Sequence, residues 1–319
     1  MNRLPTTILV ATDGSHDAAL AATAATGLSN ATGSELHLVH VLQQFPRYAY
    51  PGVTPELYSM VRDEQDKQGR ELLAEDAKRV RERGGNVAEV HLRRGRVADE
   101  ILGLAESLGV GLIALGSRGL GPVKRLVMGS VSEGVVHGAP CPVLVLRGGE
   151  DTWPPKRIVI GDDGSRAAED AGELAASIGN VVGATVLLIR AYPRLPEIDA
   201  VGRGFDARMV DDELHREEQA LGDRAAEIES LLGVRPRIRI GVGDPADELL
   251  EAAGEGEEES TLVAVGSRGL DAMQRFRLGS VSTKILHAAR GPVLVHPPPE
   301  NRDGRDRGPS GTIDTHGDA

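Results

Sequence analysis

The feature that most constrains this chain is an internal repeat. The segment 116–147 (GSRGLGPVKRLVMGSVSEGVVHGAPCPVLVLR) lies 150 residues before 266–297 (GSRGLDAMQRFRLGSVSTKILHAARGPVLVHP), and the two are identical at 16 of 32 ungapped positions. Unrelated segments of that length match at about two positions, so the chain contains two copies of one unit. The same offset carries ILVATDGS (8–15) onto IVIGDDGS (158–165), with Asp13 opposite Asp163, and 36–42 onto 186–192. Gly95 pairs with Gly243 at an offset of 148, so small length changes fall inside each copy.

Within a copy, short aliphatic runs alternate with amphipathic stretches. In the first copy, strands are expected over 7–11, 35–41, 88–92, 111–115 and 143–146, and helices over about 15–31, 55–83, 97–108 and 130–137. Continuous Val, Leu and Ile runs suit strands covered on both faces, and repeated strand–helix–strand units predict right-handed crossovers in a parallel sheet. Ser15 and Ser165 stand where helix N-caps are expected. The fold class is therefore α/β: two tandem copies of an open five-stranded parallel sheet with helices on both faces. The fifth strands, PVLVL (142–146) and PVLVH (292–296), end their copies as aliphatic edges. A bare aliphatic edge invites pairing, so the two are expected to pair with each other and form an intramolecular pseudo-dimer. The domains run 1–147 and 156–297. Residues 148–155 form a linker that continues neither fold, and 298–319 form a disordered tail.

Composition excludes several classes. Lys plus Arg number 36 against 48 Asp plus Glu, a net charge of −12, which is unsuited to general nucleic-acid binding. A single cysteine, Cys141, permits no intrachain disulfide and no multi-cysteine metal centre, in keeping with a cytoplasmic protein. No apolar run approaches the roughly 18 residues of a membrane helix, and 1–15 reads as a first strand rather than a signal peptide. No metal-ligand set is assigned.

The chemistry concentrates in G-x₂-G-x₉-G-S, which follows the fourth strand in both copies: Gly116, Gly119, Gly129 and Ser130, then Gly266, Gly269, Gly279 and Ser280. Glycines there could adopt positive φ and let a ligand approach backbone amides. The closing Gly-Ser opens a helix, whose unpaired N–H groups favour an anion. Arg118 and Arg268 lie inside the motif, and Lys124, Arg125, Arg275 and Arg277 lie in the nine-residue excursion. This local positive charge on an acidic chain fits a polyphosphate. Asp13 and Asp163, at the end of strand one, stand where a ribose or base edge would be met in an open α/β sheet. Ordinary turn and N-cap chemistry accounts for the same residues without any ligand.

With strand one ending Asp-Gly-Ser and strand five beginning Pro-Val-Leu-Val, this pattern resembles the universal stress protein family in its tandem form, over about 4–147 and 156–297. The resemblance implies the strand order 3-2-1-4-5 and ATP, with or without Mg2+, between strands one and four. It places Asp13 on adenosine, Val41 on adenine, and Gly116, Gly119, Gly129, Ser130 and Val131 around ribose and phosphates. The matching positions are Asp163, Ala191, Gly266, Gly269, Gly279, Ser280 and Val281. It also implies a stress-response regulator acting through nucleotide-dependent conformation or an unknown protein partner, and the pseudo-dimer could assemble further.

The second copy departs at two positions. Ala191 replaces Val41, trimming apolar contact with a base, and Asp162 replaces Thr12, adding negative charge near an anionic ligand. Each is expected to weaken nucleotide binding there if its side chain faces the pocket. Two other functions stay open: a tandem scaffold of the same fold without nucleotide, and a slow nucleotide hydrolase or autophosphorylating protein. For the last, Ser130, Ser132, Ser280 and Ser282 are the candidate acceptors. The G-x-G-x-x-A match at 241–246 follows the third strand and reads as a strand–helix turn. No G-x-x-x-x-G-K-[ST], H-E-x-x-H or G-x-S-x-G occurs. His137 and His287 read as helix-end partners, and the acidic run 255–259 as solvated surface.

Overall fold

The computed structural model describes residues 4–44, 54–119, 128–192, 207–233, 235–255, 260–269 and 278–298. Lys124, Arg125, Arg275, Arg277, residues 256–259 of the acidic run and the tail beyond 298 lie outside them. The first copy runs β1 (Thr7–Ala11), α1 (His16–Thr32), β2 (Glu35–Gln43), α2 (Pro55–Glu82), β3 (Val87–Gly95), α3 (Val97–Leu108), β4 (Leu112–Gly116), α4 (Ser130–Gly138) and β5 (Val143–Leu146). The second runs β6 (Arg157–Gly161), α5 (Arg166–Val182), β7 (Thr185–Tyr192), α6 (Ala207–Leu232), β8 (Arg237–Val242), α7 (Pro245–Gly254), β9 (Thr261–Gly266), α8 (Ser280–Ala288) and β10 (Val293–His296).

Local chemistry explains the element ends nearest the sites. The Ser15 and Ser165 side chains accept from the Ala18 and Ala168 amides and cap α1 and α5. Gly33 and Gly183 close those helices in the left-handed conformation. β3 extends to Gly95, beyond the expected Leu92, because an edge strand tolerates an exposed Arg93 and the Arg94 side chain finds Asp66 and Gln65 on α2. The charge of the two arginines ends the apolar run in the sequence without ending the hydrogen-bonded ladder.

All ten strands form one sheet in the order β3-β2-β1-β4-β5-β10-β9-β6-β7-β8. Each copy is parallel throughout and carries the order 3-2-1-4-5. The copies join where β5 and β10 pair antiparallel, with Val145 opposite Val293 and Val143 opposite Val295. Successive strand residues face opposite sides, so Ile8 and Val10 enter one core and Leu9 the other. Each core continues through the seam and takes residues from both copies, including Leu144 with Leu294 on one side and Val145 with Val293 on the other.

Two features of the junction depart from a passive connector. Trp153, the only tryptophan, is buried in the core against Gly27 of α1. Arg147, which follows β5, donates to the Leu286 and Ala289 carbonyls at the end of α8 in the opposite copy. Those carbonyls lack helical partners, so a buried guanidinium there satisfies groups the fold would otherwise strand. Burial first, and then neighbouring Arg118, push the Arg147 pKa down to about 10, with Asp17 opposing.

Other residues set apart in the sequence also find structural partners. His137, in the last turn of α4, bonds the Glu133 carbonyl through Nδ1. Gly243 precedes Asp244, which caps α7 by accepting from the Ala246 and Asp247 amides, so 241–246 is a strand–helix turn. Glu255 is not free surface charge. Hydrogen bonds from Arg239 and then Arg157 hold its carboxyl down to about 2.

Candidate functional site

At the carboxyl end of the sheet each copy opens a crevice between strands one and four. In the first copy its volume is about 430 Å³, and Asp13, Val41, Gly116, Arg118, Gly119, Gly129, Ser130 and Val131 all line it. In the second it is about 660 Å³, lined by Asp163, Ala191, Gly266, Arg268, Gly269, Gly279, Ser280 and Val281. Tertiary structure thus brings together, in each copy, the expected site residues that lie among the described ones; the excursion cations lie outside them.

The glycines act differently from the sequence expectation. None of Gly116, Gly119, Gly129, Gly266, Gly269 or Gly279 has positive φ; that conformation belongs to Gly14 and Gly164, which follow the crevice aspartates in the chain. A Cβ on Gly116 would lie 2.7–2.8 Å from the backbone of Asp17 and Ala18, and one on Gly266 2.8–2.9 Å from that of Ala167 and Ala168. These two glycines therefore let the strand end approach the first turn of α1 or α5. A Cβ on Gly119 or Gly269 would overlap a carboxylate oxygen of Asp13 or Asp163. Gly129 and Gly279 occupy the N-cap positions of α4 and α8, and their amides donate to the Ser117 and Ser267 carbonyls.

Helix α4 starts with Ser130. Its first intrahelical bond runs from the Glu133 amide to the Gly129 carbonyl, so the Ser130, Val131 and Ser132 amides precede the helix's own hydrogen bonding. In α8 the same bond joins Thr283 to Gly279. Neither Ser130 nor Ser280 is the N-cap. The Ser132 and Ser282 hydroxyls are buried donors to the Gly116 and Gly266 carbonyls, at 2.7 and 2.6 Å, and pin each helix start to its strand end.

Across each crevice the aspartates are held by their own turns. Asp13 Oδ1 accepts from the Ser15 amide at 3.0 Å, and Asp163 Oδ1 from the Ser165 amide at 2.9 Å. The Ser15 and Ser165 hydroxyls reach over to the Arg118 and Arg268 carbonyls, each at 3.3 Å, and tie the two walls together. In crevice one Val39, Val41, Ile101 and Leu115 add an apolar floor; Ile189, Ala191, Leu249 and Val265 do so in crevice two.

The copies differ behind the walls. Asp17 accepts from the Ser117 hydroxyl at 2.8 Å and stands 3.5 Å from Arg118 Nε, whereas the second copy has Ala167 there and the Ser267 hydroxyl has no hydrogen-bond partner among the described residues. Thr12 donates to Asp76 at 2.6 Å. Its counterpart Asp162 does not present a bare charge: it is buried and pairs with Arg190, which also bonds Glu217 at 2.7 Å. The expectation that Asp162 opposes an anion is corrected accordingly, because its charge is matched within the wall. Burial alone would lower the Arg190 pKa, but the hydrogen bonds it donates to Asp162 and Glu217 outweigh burial and raise the guanidinium further. The 150-residue offset pairs Asp17 with Ala167 and was the available signal for this difference.

Paired crevices at the carboxyl ends of parallel strands, mirrored across an antiparallel seam, define a duplicated α/β protein with one ligand-sized site per copy. Known sequences identify the family. The profile of the universal stress protein family matches residues 5–147 and 154–297, and the chain belongs to that family. A universal stress protein of Mycobacterium tuberculosis is 28% identical over 299 residues, spanning 90% of this chain and 96% of its own. One from Bacillus subtilis is 37% identical over 145 residues, 44% of this chain and 97% of its own. The crystal structure of a universal stress protein from Archaeoglobus fulgidus shares the fold, with TM-score 0.66, 23% identity and coverage of 92% of this chain and 98% of that one. Among the described residues no helix is long and apolar enough to cross a membrane.

Proposed function

We propose that both crevices bind adenine nucleotide, ATP with or without Mg2+, and that the chain is a cytoplasmic stress-response regulator working through ligand-dependent conformation or partner choice. The observation that carries this is the convergence, in each crevice, of first-turn helix amides, an arginine and an aspartate around an apolar floor. Amides at a helix start and a guanidinium suit phosphate oxygens. A carboxylate accepts from ribose hydroxyls or an exocyclic amine, and the apolar floor suits a base. In this reading Asp13 and Val41, with Asp163 and Ala191, meet the nucleoside. Gly116, Arg118, Gly119, Gly129, Ser130 and Val131, with Gly266, Arg268, Gly269, Gly279, Ser280 and Val281, surround ribose and phosphates.

Calorimetry of the full chain with ATP and Mg2+ tests it, and saturable heat without steady ADP release is expected. No heat with any adenylate at millimolar concentration overturns the proposal in favour of a scaffold, and continuous ADP release makes the protein a hydrolase. The crevices should also differ. Ala191 leaves less apolar contact than Val41, a difference of about 1 kcal/mol or several-fold in affinity. Asp13→Asn should therefore remove the tighter of two binding events and Asp163→Asn the weaker. Equal losses would refute the asymmetry.

A further inference from the structure

Away from the crevices, β2 and β3 bring together His37, Glu89 and His91, whose ligand atoms all lie within 4.8 Å of one another. Nothing in their sequence spacing announces this. The register between β2 and β3 shifts after Leu36, so that His37 faces Glu89 and Val39 faces His91. Without the shift His37 would stand beside Ala88, and the histidines would project from opposite faces of the sheet. One irregularity therefore assembles the cluster.

His37 Nδ1 lies 3.0 Å from His91 Nε2, with ring centroids 5.3 Å apart and planes 19° from parallel. Glu89 Oε2 is 3.9 Å from the same His91 nitrogen. Two imidazole nitrogens each about 2.0–2.1 Å from one zinc ion stand roughly 3.3 Å apart at the tetrahedral angle, so the backbone already holds both ligands at a suitable spacing. His91 is buried, while the Glu89 side chain is 64% exposed, which leaves one side open to water ligands. Burial, aided by His37 and Arg93 and opposed by Glu89, moves His91 below the ordinary histidine range and favours the neutral ring.

We propose that His37 Nδ1, His91 Nε2 and a Glu89 carboxylate oxygen form a binding site for a divalent ion of zinc-like chemistry. Two imidazoles with one carboxylate suit a late first-row ion; Mg2+ and Ca2+ prefer sites built from oxygen alone. On binding, the hydrogen bond between the rings breaks and each ring turns its lone pair to the ion. The proton between them moves to the outer nitrogen of the ring that carried it. The second copy supplies an internal contrast. At the same register positions it has Leu187, Arg237 and Arg239, which offer a hydrocarbon and two cations. Among the described residues the second copy therefore has no equivalent site, although the crevices are two.

The test is titration of the full chain with Zn2+ against a chromophoric chelator, repeated with Co2+ to read ligand-field bands. One ion per chain is expected, with binding weakened at least about tenfold in His37→Gln and in His91→Gln. Glu89→Gln alters an exposed side chain and cannot unfold the sheet. It should weaken binding and shift the Co2+ spectrum, so it carries the test if either histidine variant fails to fold. His137→Asn should change nothing. Absence of stoichiometric binding at micromolar Zn2+, or binding unchanged in Glu89→Gln and in the foldable histidine variants, overturns the site.

Discussion

Trp153→Ala is expected to lower the unfolding free energy by about 3–5 kcal/mol, the range for truncating a large buried aromatic. Trp153 is 8% exposed and belongs to the core that continues across the seam. Its indole nitrogen would sit 3.0 Å from a Cβ on Gly27, so the only space for the ring at that point of α1 exists because residue 27 is glycine. Urea unfolding followed by circular dichroism measures the loss in the variant. In the parent chain the same transition should appear in fluorescence, since Trp153 is the sole tryptophan. A loss below about 1 kcal/mol, the size typical of surface changes, would mean that the junction is a mere tether.

Gly119→Val is expected to weaken nucleotide binding in crevice one by about a hundredfold, equivalent to about 2.7 kcal/mol. The argument rests on place. An added Cβ would overlap the Asp13 carboxylate, and the two branches beyond it would have to share the crevice with the ligand. Gly269→Val should do the same to crevice two, through Asp163. Among the described residues only side-chain atoms of Asp13 oppose the added Cβ, so thermal unfolding should move little. Gly116 makes the contrast: its hydrogen faces α1 backbone, and a side chain there should cost folding rather than binding. Calorimetry with ATP on the single and double glycine variants separates the crevices. Unchanged binding in Gly119→Val would remove the first-copy wall from the nucleotide site.

Much of this was legible before any coordinates. The repeat offset announced two copies, the aliphatic runs announced parallel strands covered on both faces, and the edge character of 142–146 and 292–296 announced the seam. Each depends on patterns local to a few residues or on direct self-comparison. The boundary at Leu92 was missed because two arginines on an edge strand, one exposed and one paired with Asp66 of α2, look like a loop when hydrophobicity alone is counted. The roles of the glycines were misjudged for a similar reason. Sequence spacing cannot distinguish a glycine needed for its φ, such as Gly14, from one needed for a close approach, such as Gly116. The charge of Asp162 looked hostile to an anion until Arg190, 28 residues away, was found against it.

By itself the sequence determined the fold class and the duplication, because hydrophobic period and motif order are one-dimensional properties. The motif with the family resemblance supplied part of each crevice lining, and residues such as Ile101 and Leu249 joined it only through the fold. Tertiary structure alone decided which charges are matched, that Trp153 and Arg147 bind the copies to each other, and that a register shift sets His37 beside Glu89 and His91. The physical reason is common to all three. Charge compensation, cavity filling and ligand convergence act over a few ångströms between side chains that lie far apart along the chain. A shift of one residue in strand pairing reverses the face on which a side chain stands.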